Sequence, residues 1–311
     1  MTKLIVIAIG VAAALAQGAP PESPEKLMSL SHDFSNQPIP RYANGYLLAY
    51  DLQGVIRSWS YGSNGQLVTQ ERIALPGVDR FAIKDLTAAA DGTMAVTGTA
   101  WGGEGLVSVI VWIDRAGHLL RAVRTTPFAP FRVVFDREGM LWAVGRVHDA
   151  DSREAPDYDL LRRYDPQGRL IQTLLPRSGF PRGGKHPAFE SFLVTAPDRV
   201  GLYCVTAGEW IEVSLRGELL GRWRAPRAVP DTGITGAALT SSGALYVSAQ
   251  RMGPTQEEIQ LLRLDKRSGE LVPAVEIATP LGPAPLVLSS DGNSVIYYHK
   301  PGQVYRVSAV E

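Results

Sequence analysis

The amino-acid sequence predicts an all-β fold, a six-bladed β-propeller whose blades are four-stranded antiparallel sheets. Three observations support this fold class: a repeat of about 50 residues, two turns with glycine in each repeat, and a difference of one between the numbers of turns in the two sets. A repeat of this length is typical of β-sheets arranged around an axis, because each unit packs against its neighbours to bury its apolar faces.

The first set of turns sets the period. Strand-like runs end in an Asp or Ser turn that contains a glycine, and these glycines, Gly117, Gly168, Gly217 and Gly269, lie about 50 residues apart. Residues 63–65 form an earlier member of the set. The period therefore matches the length of one four-stranded blade.

A second set of turns lies between members of the first and is typified by Asp-Arg-Glu-Gly at residues 136–139. We expect its other members to turn at Gly45, Gly92, Gly201, Gly243 and Gly292. Both sets combine Asp, Asn or Ser with Gly between β-branched and aromatic residues, which is typical of hairpins. Two hairpins in each period make four strands, which we label A to D from the axis outward.

The count of turns predicts how the ring closes. There are six A-to-B turns but only five C-to-D turns, so the last C strand, near residues 303–310, has no D strand after it. Residues 25–33 precede the first A strand and could supply the missing strand. Pairing the two ends would remove the exposed sheet edges of an open array. We expect a single domain over residues 17–311.

The first 16 residues have the pattern of a signal peptide. Lys3 precedes an apolar run over residues 4–15, and Ala14-Leu15-Ala16 has the small-x-small form of a cleavage site. The run is shorter than the roughly 20 residues that a membrane-spanning helix needs, so a retained membrane anchor is the weaker alternative. We expect cleavage after Ala16, no membrane span in the mature protein, and a secreted or periplasmic location.

Composition limits the partners. Lys plus Arg (31) equals Asp plus Glu (31), so the chain lacks the broad positive field of a protein that binds nucleic acid.

Cys204 is the only cysteine, which rules out an internal disulfide. Because it stands in the strand-like run Leu-Tyr-Cys-Val, we expect Cys204 in the core and not as a nucleophile.

One repeat resembles a known family. Residues 134–144 (VFDREGMLWAV) and 161–170 (LRRYDPQGRL) resemble NHL-type repeats, with an Asp-x-x-Gly turn, an apolar strand, and a basic residue before an aromatic-Asp-x-x-Gly turn. The family's Asn-His-Leu segment is replaced by Tyr-Asp-Leu-Leu-Arg at residues 158–162. The resemblance implies a six-bladed propeller. It does not assign chemistry, because propellers host many functions.

The residues that could carry catalysis form no recognisable constellation. The five histidines have no i, i+2 or i, i+4 pair, and the few asparagines do not supply the axial metal ligands of gluconolactonase-like propellers. No Gly-x-Ser-x-Gly segment is present. The acidic segment 148–159 could bind calcium, but a solvated loop is favoured. We predict no metal centre and no cofactor.

Loop lengths indicate a working face. Two insertions, residues 148–159 and 176–190, belong to a B-to-C loop and a D-to-A crossover, which open on the same face of a propeller. Long loops on a rigid scaffold are usual carriers of recognition. The predicted ligand-binding residues come from these loops and from the inner strands: Arg80, Lys84, Asp85, Arg132, His148, Asp149, Asp151, Arg182, Lys185, His186 and Glu190.

Within this set Arg132 is the predicted anchor for a carboxylate or phosphate, with a pairing to Glu190 as the alternative. We therefore expect an exported binding or protein-interaction module that takes an unknown polar or anionic small molecule, or a protein partner. The alternatives are a propeller hydrolase or lyase acting on a sugar, lactone or peptide, and a structural or assembly protein.

Overall fold

The computed structural model describes residues 25–29, 40–51, 54–60, 66–103, 105–149, 151, 153–181, 186–226, 232–252, 257–274, 286–299 and 303–308. In these residues, 24 strands form six four-stranded antiparallel sheets. The predicted fold class, a six-bladed β-propeller with four strands in each blade, is confirmed. The signal-peptide residues and the 63–65 turn lie outside the described residues.

Each blade is a meander that runs from the axis outward. Blade one contains β2 (Arg41–Ala43), β3 (Tyr46–Tyr50), β4 (Val55–Ser60) and β5 (Gln66–Arg72); blade two contains β6 (Val78–Ala88), β7 (Met94–Gly102), β8 (Gly105–Ile113) and β9 (Leu119–Arg124). Blade three contains β10 (Phe128–Phe135), β11 (Leu141–Val147), β12 (Asp159–Tyr164) and β13 (Leu170–Pro176); blade four contains β14 (Ser191–Ala196), β15 (Arg199–Cys204), β16 (Glu209–Ser214) and β17 (Leu219–Arg224). Blade five contains β18 (Thr232–Leu239), β19 (Leu245–Met252), β20 (Glu257–Asp265) and β21 (Glu270–Pro273).

Blade six joins the two ends of the chain. It contains β22 (Leu286–Asp291), β23 (Ser294–His299), β24 (Gln303–Ser308) and, as its outer strand, the N-terminal β1 (Glu25–Ser29). The innermost strands contact one another in a closed circle, β2, β6, β10, β14, β18, β22 and β2 again. The predicted closure by the chain ends is therefore confirmed, with the strand ending at Ser29 and residues 30–33 outside the described part.

The expected turn at Gly201 is wrong. Gly201 lies inside β15, opposite Val194 on one side and Glu212 on the other, and the chain turns instead at Pro197 and Asp198. A Cβ atom on Gly201 would stand 2.0 Å from the ring of Trp210. This glycine is therefore needed for the close approach of a buried ring and not for a turn.

The core lies between the blades, where apolar faces of adjacent sheets pack together. The largest fully buried side chains include Trp112, Trp142 and Trp210. Buried carboxylates accept two of the indole N–H groups, Asp136 from Trp142 at 2.8 Å and Glu212 from Trp210 at 2.7 Å, so burying these polar groups is compensated.

Cys204 lies in this core, as the sequence predicts, with 1% of its surface exposed. Burial raises the pKa of its thiol. A thiol that is both buried and protonated is a poor nucleophile, which agrees with a packing role.

β-Bulges in the inner strands position the candidate site. The pairing of β6 with β7 skips a residue at Lys84, and the pairing of β10 with β11 skips a residue at Phe131. A bulge leaves one residue unpaired and changes the direction of the neighbouring side chains. Lys84 and Phe131 are each followed by a residue that lines the axis, Asp85 and Arg132.

Candidate ligand-binding site

The two long loops meet. One joins β11 to β12 across residues 148–158, and the other joins β13 to β14 across residues 177–190. The amide of Arg177 donates to the carbonyl oxygen of Tyr158 at 2.7 Å, and the guanidinium of Arg177 donates to the carboxylate of Glu154. The Tyr158 hydroxyl is also hydrogen-bonded to Nε2 of His186. Strand β11 separates these loops from the short turn at residues 136–140, so they lie at the other end of the blade.

His186 is the buried centre of this contact, with 5% of its surface exposed. Its Nδ1 accepts from the Ala188 amide at 3.1 Å, which leaves the proton on Nε2, beside the Tyr158 hydroxyl. Burial is the main reason that the pKa of His186 falls to about 4, against the opposing pull of Glu154. The imidazole is therefore neutral at pH 7 and acts as a structural link between the loops.

Beside this link lies a group of four side chains, Lys84, Phe131, Arg146 and Phe189, which we call the cation–aromatic cluster. The rings of Phe131 and Phe189 have centroids 4.8 Å apart. Lys84 Nζ lies 4.8 Å from the Phe131 centroid, and Arg146 Cζ lies 4.8 Å from the Phe189 centroid and 5.9 Å from that of Phe131. Both cations thus lie within reach of the π faces of the same pair of rings.

The electrostatics of the cation–aromatic cluster are unbalanced. Burial, and then the charge of Arg146, lower the pKa of Lys84. Within the described residues, no carboxylate forms an ion pair with either cation. Arg146 Nε instead donates to Nε2 of His148 at 2.9 Å. The cluster is a partly desolvated pair of positive charges that an anion would neutralise.

The axial channel lies next to the cation–aromatic cluster and is lined by residues of all six innermost strands, including Arg41, Asp85, Arg132, Thr195, Ala237 and Ser289. The buried carboxylate of Asp85 accepts from Nε of Arg41 at 3.1 Å and from the amide of Val133 at 3.0 Å. Asp85 is therefore satisfied by protein groups of blades one and three.

Arg132 also makes contacts within the protein. Its Nε donates to the carbonyl oxygen of Ser191 at 3.0 Å, and its Nη1 donates to that of Phe131 at 3.2 Å. Burial lowers the pKa of its guanidinium. The bond to Ser191 joins blade three to blade four, and the guanidinium has further N–H donors beyond these two.

The other predicted residues divide between the site and its surroundings. Asp149 Oδ1 accepts from the amides of Asp151 and Arg153, both at 2.9 Å, so Asp149 closes its own loop, and Asp151 is exposed. Arg80 lies over Trp101 at 5.3 Å. The carbonyl oxygen of Glu190 accepts from Val205 at 2.9 Å. Arg182 and Lys185 lie outside the described residues.

Sequence reasoning missed several residues of the site. Glu154 and Tyr158 stand inside the acidic segment, and Arg177 and Phe189 stand inside the second insertion. Phe131 and Arg146 each lie within two residues of a predicted one. The sequence feature that could have found the missed residues is an aromatic residue close to a basic one. A search for charged residues alone does not find the phenylalanines.

Two features are absent from the described part of the chain. No three His, Cys, Asp or Glu side chains there are grouped as metal ligands. No helix there is long and apolar enough to cross a membrane.

Comparisons with known proteins find similarity to solved structures only. No protein-family model and no curated protein matches the chain. A protein from Bacteroides fragilis NCTC 9343 that is predicted to be exported is similar over 93% of this chain and 95% of its own, with 12% identity and a TM-score of 0.53. The β-propeller domain of Cps50 (Swd1) from Myceliophteria thermophila is similar over 93% and 100%, with 12% identity and a TM-score of 0.42.

A structure of a mitotic checkpoint complex is similar over 100% of this chain and 98% of its own, with 12% identity and a TM-score of 0.44. At 12% identity, the likeness to the Bacteroides fragilis protein concerns the fold alone. The resemblance to NHL repeats stays a prediction.

Proposed function

We propose that this chain is an exported binding module that holds an anionic ligand where the long loops meet the axial channel. The observation that carries the proposal is the approach of Lys84 and Arg146 to the ring of Phe131. Two like charges that lose water repel each other and are individually costly, and a bound anion offsets both terms. Arg132, behind the cluster, supplies further N–H donors on the channel side.

The scaffold fits this role. The site is built from strands β6, β10 and β11 and from two loops that the buried His186 and the exposed Glu154 hold together. Side chains that are fixed before the ligand arrives lose little conformational entropy when it binds. A small molecule and the C-terminal carboxylate of a protein partner share the chemistry that this site recognises.

Export rests on the N-terminal pattern of Lys3, an apolar run and Ala14-Leu15-Ala16, and the likeness to the Bacteroides fragilis protein agrees with it. N-terminal sequencing of the protein recovered from outside the cytoplasm should begin at Gln17. Recovery of an intact Met1, or of the protein only in the cytosol, would contradict export without affecting the anion site.

The anion site is tested by titrating the protein with acetate and with inorganic phosphate at constant ionic strength, using calorimetry and the shift in Tm. A ligand of the folded state raises Tm in a concentration-dependent way. Lys84→Met and Arg146→Met should weaken binding about tenfold or more, since each removes a charged partner.

Arg80→Met is the matched control, because Arg80 also lies over an aromatic ring but is exposed and outside the cation–aromatic cluster. It should leave binding unchanged. Equal losses in Arg80→Met and Lys84→Met, or no anion binding by the parent protein, would overturn the proposal.

A further inference from the structure

A large apolar side chain is exposed at the anion site. Phe189 has 43% of its surface exposed, although it belongs to a loop whose neighbouring residue Ala188 is fully buried. The ring is nevertheless held in place by its neighbours. It meets Phe131 at 4.8 Å with a 37° tilt, Arg146 at 4.8 Å, and His186 edge-on at 5.8 Å.

The backbone fixes Phe189 as well. Its amide donates to the carbonyl oxygen of His186 at 3.0 Å, and the His186 ring accepts from the Ala188 amide. Because His186 is buried against Tyr158 of the other loop, the turn that carries Phe189 is tied to both insertions. The ring is therefore preorganised and still partly open to solvent.

A rigid, partly open ring beside two cations defines a two-part recognition surface. Lys84 and Arg146 attract an anionic group, and the open part of Phe189 offers offset or edge-to-face stacking to a second ring. A ligand with only an anionic group would leave the Phe189 surface in water. A ligand with only a ring would leave the cations uncompensated.

We infer that the ligand is an aromatic carboxylate, with its carboxylate between Lys84 and Arg146 and its ring against Phe189. The inference rests on the proposed anion site and adds the class of ligand. Such a group occurs both in a free aromatic acid and in the C-terminal aromatic residue of a peptide.

The test compares three probes by calorimetry: acetate, benzoate and N-acetylphenylalanine. The parent protein should bind an aromatic probe about tenfold more tightly than acetate, from stacking and ring burial. Tighter binding of benzoate indicates a free aromatic acid, and tighter binding of N-acetylphenylalanine indicates a peptide C-terminus.

Variants separate the two halves of the site. Phe189→Ala should remove the preference for aromatic probes over acetate, whereas Lys84→Met should weaken the binding of all three probes. Leu106→Ala is the control, since Leu106 is another exposed apolar residue, 60% exposed, outside the cluster.

Equal affinity for acetate and both aromatic probes, with acetate binding still dependent on Lys84, would overturn the inference and leave the anion site standing. Retained aromatic preference in Phe189→Ala would overturn it too. Failure of all three probes to bind would overturn the anion site itself.

Discussion

The carboxylate of Asp85 in blade two accepts a hydrogen bond from the backbone amide of Val133 in blade three, with 3.0 Å between Oδ2 and N. Its Oδ1 lies 3.1 Å from Nε of Arg41 in blade one. One buried carboxylate thus joins three consecutive blades beside the axial channel.

Asp85→Ala should therefore lower the free energy of unfolding by about 2–4 kcal/mol, because it leaves a buried amide and a half-buried guanidinium without their acceptor. Asp85→Asn keeps one acceptor oxygen and should cost less. Urea unfolding measures both. If Asp85→Ala is as stable as the parent protein, these contacts do not hold the blades together.

The sequence predicts that Asp85 lies on an inner strand but not what it contacts. Alternation and turn spacing place residues on a strand and a face, whereas the partners of Asp85 come from blades about 45 residues away in either direction along the chain. The same limit explains why the sequence points to Lys84 and not to Phe189 of the same cluster. Packing between blades leaves no periodic signal in the chain.

Gly201 supports a second prediction. Gly201→Ala should cost about 1–3 kcal/mol in the free energy of unfolding, because its Cβ would collide with the buried ring of Trp210. Gly233→Ala is the control: Gly233 also lies in a strand, is exposed, and has no atom within 4 Å of the position that a Cβ would take. Similar unfolding midpoints for the two variants would contradict the role of Gly201.

The N-terminal strand supports a third prediction. Leu27 and Met28 of β1 are 4% and 2% exposed, so deleting residues 25–29 should cost several kcal/mol through lost apolar burial alone. Glu25→Gln weakens the exposed pair with Arg306 and should change stability by less than about 1 kcal/mol.

Hydrogen exchange distinguishes closure from local anchoring. If β1 closes the ring, its deletion should raise exchange in blade one as well as in blade six, since the open edge destabilises both neighbours. Faster exchange confined to β24 would show that β1 protects only the strand that it covers.

His186 supports a prediction on pH. Its pKa is about 4 in the folded protein and 6.5 as a free side chain, so the unfolded chain takes up a proton first as the pH falls. The contribution of His186 to the free energy of unfolding should be fully present above about pH 6.5. It should fall by about 1–3 kcal/mol between pH 6.5 and 4 and should not change further below pH 4. The charged or titratable groups that face His186 are Glu154, Tyr158, Arg177, Arg146 and His148.

Glu154 acts in the same direction. Burial alone would raise the pKa of its carboxyl, but the hydrogen bond from Arg177 and the other groups around it lower that pKa overall, so its contribution is present above pH 4.5 and lost as the pH falls further. His186→Gln should flatten the profile between pH 6.5 and 4. An unaltered profile in His186→Gln would assign the acid sensitivity to other groups.

The fold is more predictable than the site for a physical reason. Hairpin turns such as the one at Gly139 need residues that accept positive φ, and this requirement recurs in every blade and is visible in the chain. The cation–aromatic cluster arises once, where the two long loops meet beside the bulged strands β6 and β10. Similar bulges recur in β18 and β22, but the meeting of the two loops leaves no repeated pattern.

The most direct test of the anion site is a crystal structure of the protein with 4-bromobenzoate, whose bromine atom is located by anomalous scattering. We expect the carboxylate within hydrogen-bonding distance of Lys84 Nζ and the Arg146 guanidinium, about 3 Å, and the bromine beside Phe189. A vacant cluster at saturating 4-bromobenzoate, or a bromine signal only at other surfaces, would contradict it.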